Sequence, residues 1–210
     1  MTFVRHGSQG PHDYRLSPDV WVDPPLSETG RRQAEVVGAA LADQPFDAIF
    51  CSHLVRAHET ADAVAKQQGL DVTVLPELRE VETYRDIPDG LGLLDVMSPL
   101  MWRGVEERFV NERRWDVCPF SESSEGFRSR VVTVVEGIIA SQAGSRIAIV
   151  CHGGVINTYI GHLLGLDVDM FFRPAHASVS RILVGDGRRV IHTLNEIHHL
   201  SAVDPSLVTF

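Results

Sequence analysis

Three apolar runs of strand length, each ending in small or polar residues and each followed by a helical pattern, constrain this 210-residue chain more than any other feature. They are Met1-Thr2-Phe3-Val4, Asp47-Ala48-Ile49-Phe50-Cys51-Ser52 and Arg146-Ile147-Ala148-Ile149-Val150-Cys151. Runs so short and continuously apolar read as strands buried on both faces, the mark of a parallel sheet covered by helices. Ser27 is placed to cap a helix carrying Ala34, Val37, Gly38 and Leu41 on one face. The periodicity then predicts helix 54–68, strand 71–75, helix 125–141 burying Phe127, Val131, Val134, Val135 and Ile138, and helix 154–165. A hairpin of 179–184 against 190–194, turned near Asp186-Gly187, comes last. The expected architecture is a three-layer α/β/α sandwich with a mostly parallel sheet and one antiparallel edge strand.

The ends of these runs carry the chemistry. Val4-Arg5-His6-Gly7 delivers a cation and an imidazole to a strand's carboxyl end, where ligands bind in open α/β sheets. Taken alone, an Arg-His pair at a strand end is uninformative. Downstream, Arg56 follows the second run, and His152-Gly153-Gly154 follows the third at a helix start. The first N–H groups of a helix lack partners and favour an anion. Two guanidinium groups and two imidazoles converging on one sheet edge would suit a phosphoryl group, because guanidinium binds phosphate oxygens bidentately and stays charged.

These blocks, taken together, resemble the histidine phosphatase superfamily in its phosphoglycerate-mutase-like branch. The matching residues are Arg5-His6-Gly7, then Leu26-Ser27-Glu28-Thr29-Gly30 with Gln33-Ala34, then Ser52, Arg56-Ala57 and Thr60-Ala61. Leu78-Arg79-Glu80, Glu122-Ser123 before Arg130-Val131, His152-Gly153-Gly154, and Asn195 before His199-Leu200 continue the order over about residues 3–200. The resemblance implies that His6 is the nucleophile and becomes a phosphohistidine. It implies that Arg5, Arg56 and His152 hold the phosphoryl oxygens, that Glu80 is proton donor and then base, and that neither metal nor cofactor takes part. A neutral imidazole suits this step, since an anionic nucleophile would be repelled by a phosphomonoester dianion. Glu82, two residues beyond Glu80, competes for the acid role, because the glycine usual in the family after the acid is missing from Val81 to Asp86. The run Ser8-Gln9-Gly10-Pro11-His12-Asp13 also departs from the family pattern, which weakens a mutase-type substrate more than a phosphatase.

Of the other histidines, His53 lies near the expected pocket and His176 precedes a late strand where the family's loop reaches the phosphate; both are candidate substrate contacts, with Gly153. His58 and the His198-His199 pair read as surface or structural. No His, Cys and carboxylate group stands at metal-ligand spacing. Residues 83–120 interrupt the strand-helix rhythm with Met97, Met101, Trp102, Phe109, Trp115 and Phe120 among balanced charges. They form either a helical subdomain packing on the sheet or a lid with an apolar wall for the leaving group, within a single domain over 1–210.

Three functional readings remain open. The leading one is a phosphomonoesterase acting on a small phosphorylated metabolite. A mutase would need further cations for a second anionic group, and a silent phospholigand or phosphoprotein binder would have no use for the proton donor. The net charge of −9 disfavours general attraction to nucleic acid or an anionic membrane. No stretch approaches the ~20 apolar residues of a membrane span. Cys51, Cys118 and Cys151 form no disulfide pattern, which suits a reducing cytoplasm. Met170-Phe171-Phe172 would be a homo-oligomer contact if exposed.

Overall fold

Main-chain hydrogen bonding assembles the apolar runs into one six-stranded sheet in a computed structural model, which describes every residue except 12, 14, 19–21 and 84. His12, in the run after His6, and Tyr84, in the insertion, therefore lie outside the described residues. The strands are β1 (Thr2–Arg5), β2 (Ala48–Cys51), β3 (Val72–Val74), β4 (Ile147–Cys151), β5 (Val179–Gly185) and β6 (Arg188–Glu196), in the order β3-β2-β4-β1-β5-β6. Strands β3, β2, β4 and β1 are mutually parallel. The α-helices among the described residues are α1 (Glu28–Leu41), α2 (Val55–Gln68), α3 (Leu93–Val96), α4 (Pro99–Glu112), α5 (Ser124–Ser141), α6 (Gly153–Leu164) and α7 (His198–Val203).

Successive strand residues point to opposite faces, so each neighbouring pair feeds two cores. Phe3, Phe50 and Ile149 pack with Phe127 and Val131 of α5 and Ile156 and Ile160 of α6. Their neighbours Val4, Ile49 and Val150 pack on the other face with Val37 and Leu41 of α1 and Ala61 and Val64 of α2. Each such side chain, fully buried, contributes about 1.5–3 kcal/mol of transfer free energy, which is why both faces of these strands are apolar. Val134 of α5 is the exception to the predicted face, being only half-buried.

Local signals stand where the sequence put them. Ser27 caps α1, its hydroxyl accepting from the Gly30 N–H at 3.1 Å, worth about 1 kcal/mol. Asp186 and Gly187 both take positive φ, 50° and 72°, giving the two-residue turn that matches strand twist. The antiparallel strand lies one place inside the edge: β5 runs against β1, and the hairpin then returns β6 to the outside, aligned with the parallel set.

The insertion carries α3, α4 and a 3-10 turn at Trp115–Val117, and gathers a small cluster of its own, Ile87, Leu93 and Met97 with Trp102, Val105 and Phe120 against it. Helix α4 has no fully buried residue along its fourteen. Met170-Phe171-Phe172 is not the exposed contact expected of it. All three are half-buried, Phe171 and Phe172 pack on the core, and their amides donate to Asn157 Oδ1 at 3.0 and 3.2 Å. Cys51 and Cys151 are buried free thiols, the former pushed up to about 12 by burial. No helix among the described residues is long and apolar enough to cross a membrane.

Candidate active site

The carboxyl ends of β1, β2 and β4 adjoin in the sheet, so the turns after them meet. His6 is held at this edge by its backbone: its N–H donates to Cys151 O (3.0 Å) and its C=O accepts from the Ala177 N–H (3.1 Å). Gly7 and Gly30 bring two loops together more closely than any side chain would allow. A Cβ on Gly7 would stand 2.5 Å from Gly30 O, and one on Gly30 would stand 1.8 Å from Ser8 O. The Gly7 N–H donates to Thr60 Oγ1 (3.1 Å) and the Ser8 N–H to Gln33 Oε1 (2.7 Å), so the family-like blocks at 26–34 and 52–61 brace the His6 loop.

The His6 ring is buried, with Nδ1 2.7 Å from Gly7 O. A carbonyl only accepts, so Nδ1 carries the proton and Nε2 keeps its lone pair. Burial first, then His152, Arg56 and Arg5, hold His6 well below the usual imidazole range. His152 lies beside it, ring centroids 5.0 Å apart, fully buried and also held neutral, by burial and then Arg56 and Arg5. Both nitrogens of His152, with Nε of Arg5 and of Arg56, are buried without a hydrogen-bond partner among the described residues. Leaving such groups unpaired costs about 1–3 kcal/mol each, a cost expected at a place built to receive an anion.

Arg5, His6, Arg56 and Glu80 line one cavity of about 770 Å³. The Arg56 head is 3.3 Å from Val22 O and 3.4 Å from Asp23 Oδ1. Arg5 is drawn down to about 10 by burial, with Arg173 and Arg56 adding to the effect and Glu80 opposing it, and it remains a cation at neutral pH. Glu80 is seated on the amino end of α6: the Gly154 N–H donates to its Oε2 at 3.0 Å. That seat needs a glycine, since a Cβ at 154 would lie 2.2 Å from Glu80 Oε1. Gly153 packs against the Arg5 side chain. Glu82 also lines the cavity but is tied to Arg79 (3.1 Å) and Arg85 (3.7 Å).

The remaining candidates divide. His53 is exposed and lines the cavity mouth. His176 is absent from the cavity wall. Its Nε2 stands 3.0 Å from Arg5 Nη2 and its Nδ1 2.9 Å from Thr209 Oγ1. Because a guanidinium only donates, His176 is the Nδ1–H tautomer that fixes Arg5, which also donates to Pro174 O. Burial and then Arg5 lower its pKa to about 3. His199 is structural, Nε2 on the carbonyl of Ala177, whose φ is 54°. His58 pairs with Asp62 at 3.2 Å near the surface.

Sequence reasoning missed two features. Arg173 lines the cavity with no motif to announce it. Arg130 donates to the carbonyls of Glu77 (2.7 Å) and Arg79 (3.0 Å) while paired with Glu122 at 2.6 Å, and so clamps the loop that presents Glu80. Its only sequence signal was the Glu122 and Arg130 blocks. Among the described residues no three His, Cys, Asp or Glu side chains are gathered in a way that could hold a metal ion.

A neutral histidine, two guanidinium groups and a carboxyl line one cavity at a parallel sheet's carboxyl edge, the groups expected of a histidine phosphatase. The chain belongs to the histidine phosphatase superfamily (branch 1), whose profile matches residues 1–197. Among sequence relatives, a probable phosphoglycerate mutase of Yersinia pestis is 30% identical over 162 residues, covering 74% of this chain and 67% of that one. One from Photorhabdus laumondii is 28% identical, covering 74% of this chain and 67% of that one. Among solved structures, the α-ribazole phosphatase of Shigella flexneri superposes with a TM-score of 0.74 at 26% identity, covering 93% of this chain and 95% of that one. A mycobacterial glucosyl-3-phosphoglycerate phosphatase complexed with VO3 gives 0.73 at 26%, covering 93% and 98%.

Proposed function

We propose that this chain hydrolyses a small phosphomonoester by way of a phosphohistidine at His6. The observation that carries the reading is the Nδ1 contact to Gly7 O, which leaves the Nε2 lone pair of a neutral ring in a cavity shared with Arg5, Arg56 and Glu80. In the first step Nε2 attacks phosphorus, the bond to the ester oxygen breaks, and the Glu80 carboxyl gives its proton to the departing alcohol. Arg5, Arg56 and His152 hold the three equatorial oxygens, where charge spreads in the transition state. In the second step the Glu80 carboxylate takes a proton from water, whose oxygen attacks the phosphohistidine, releasing phosphate and restoring Nε2. His53 touches the leaving group at the mouth, Gly153 contacts the substrate beside Arg5, and His176 aligns Arg5 from behind. Residues 83–120 serve as a lid within one domain spanning 1–210. The donor set draws on guanidinium and imidazole alone, with no metal or cofactor, so a chelator leaves turnover unchanged. The buried free thiols fit a reducing cytoplasm.

Replacing the nucleophile tests this directly. His6→Ala lowers turnover of p-nitrophenyl phosphate by about 10³-fold or more with the melting temperature little changed, and rapid quenching of the wild type finds one phosphoryl group on His6. Retained turnover overturns the reading. The relatives' names favour a mutase as the second possibility. It requires cations beyond the phosphoryl grip, and Arg79 is already committed to Glu82. Conversion of 3-phosphoglycerate to 2-phosphoglycerate without release of phosphate would select it.

A further inference from the structure

Aromatic rings form part of the wall of the same cavity. Trp102, Phe109 and Trp115 line it together with Leu54 and Val81, and Arg5, His6 and Arg56 line it too. Trp102 and Phe109 are seven residues apart on α4 and so share a helix face. Phe109 lies against Trp115, centroids 4.8 Å apart and planes tilted by 38°. All three rings are half-buried: Trp102 packs in part on the Ile87 cluster and Trp115 on the main core, and each keeps surface in the cavity. The wall is firmly based: the backbone N–H of Trp115 donates to Asp169 Oδ2 at 2.8 Å, and Asp169 is fully buried.

The cavity's further charged groups already have partners. Arg79 is bonded to Glu82 at 3.1 Å. Arg173 donates to Phe210 O at 3.2 Å. Glu82 adds a negative charge. Besides His53 and Thr83, the cavity offers the leaving group the flat apolar surface of these rings, which rewards a ring stacked or set edge-on against it.

We propose that the leaving alcohol is aromatic or carries an aromatic ring, seated against Trp102, Phe109 and Trp115 while Arg5 and Arg56 hold the phosphoryl group. This rests on the phosphatase reading above and specifies its substrate class. Benzyl and ethyl phosphate are the proper pair to compare, because both leaving groups are alkyl alcohols and the need for a proton is alike. The expected kcat/KM favours benzyl phosphate by about tenfold or more. Phe109→Ala and Trp102→Ala each shrink the benzyl-to-ethyl ratio severalfold. A measurement on the unaltered protein guards against variants that misfold: benzylphosphonate quenches tryptophan fluorescence at lower concentration than methylphosphonate does. Equal kcat/KM for the two esters, or equal titration by the two phosphonates, overturns this proposal and leaves the phosphatase reading standing. If benzyl, ethyl and p-nitrophenyl phosphates are all left unhydrolysed, the phosphatase reading falls and this one with it.

Discussion

At the scale of single residues, the choice between Glu80 and Glu82 shows how much two positions matter. The motif put both near the acid's place, and spacing alone could not separate them. Geometry favours Glu80, which sits on the α6 amino end beside Arg5 and Arg56, whereas Glu82 is paired with Arg79 and Arg85. If Glu80 supplies the proton, Glu80→Gln reduces kcat/KM for alkyl phosphates by about 10²-fold or more and for p-nitrophenyl phosphate far less, since p-nitrophenolate leaves without help. Glu82→Gln shows no such split. Equal losses on both esters in the Glu80 variant reject the assignment. His176 teaches the complementary lesson. Its position in the chain marked it as a substrate contact, but its ring is committed to Arg5 and Thr209, a role that depends on residues distant in sequence.

At the scale of elements, two glycines with similar crowding have opposite consequences. Gly30 meets backbone, with Ser8 O 1.8 Å from a built Cβ, so relief requires the α1 start and the His6 loop to move apart. Gly30→Ala therefore destabilises the fold by about 2 kcal/mol or more, read from chemical denaturation. Gly154 meets only the end of the Glu80 side chain, which can swing away. Gly154→Ala leaves the denaturation midpoint nearly unchanged while lowering activity on alkyl phosphates. A large stability loss there, or full activity, contradicts the seat described for Glu80. The central strands were legible as short continuous apolar runs, and the long helices by their apolar period of 3.6. Residues 83–120 were legible as aromatic, and the sequence left open whether they pack on the sheet or form a lid with an apolar wall. A half-buried stripe looks the same in sequence whether it faces a core or a cavity.

At the scale of the whole molecule, the site costs stability in acid. His6, His152 and His176 are all buried with pKa values held below 6.5, so the unfolded chain binds protons that the folded one refuses. Stability is then full above about pH 6.5 and declines as pH falls below it. The slope is about 1.4 kcal/mol per pH unit for each histidine until its folded pKa is reached. Denaturant midpoints measured between pH 7.5 and 5 will show this decline, and His176→Asn will lessen it. A flat profile means that the three rings are not kept neutral. By itself the sequence determined the alternation of strand and helix, the turns, and which residues are candidates to handle a phosphoryl group, because these depend on short-range pattern and side-chain chemistry. Only the tertiary structure decided that β5 lies inside the edge, that Arg173 enters the cavity, that Arg130 grips the Glu80 loop and that His176 serves Arg5. Each is a contact between segments far apart in the chain, set by how the sheet orders its strands and how the helices cover them, and no local period records it.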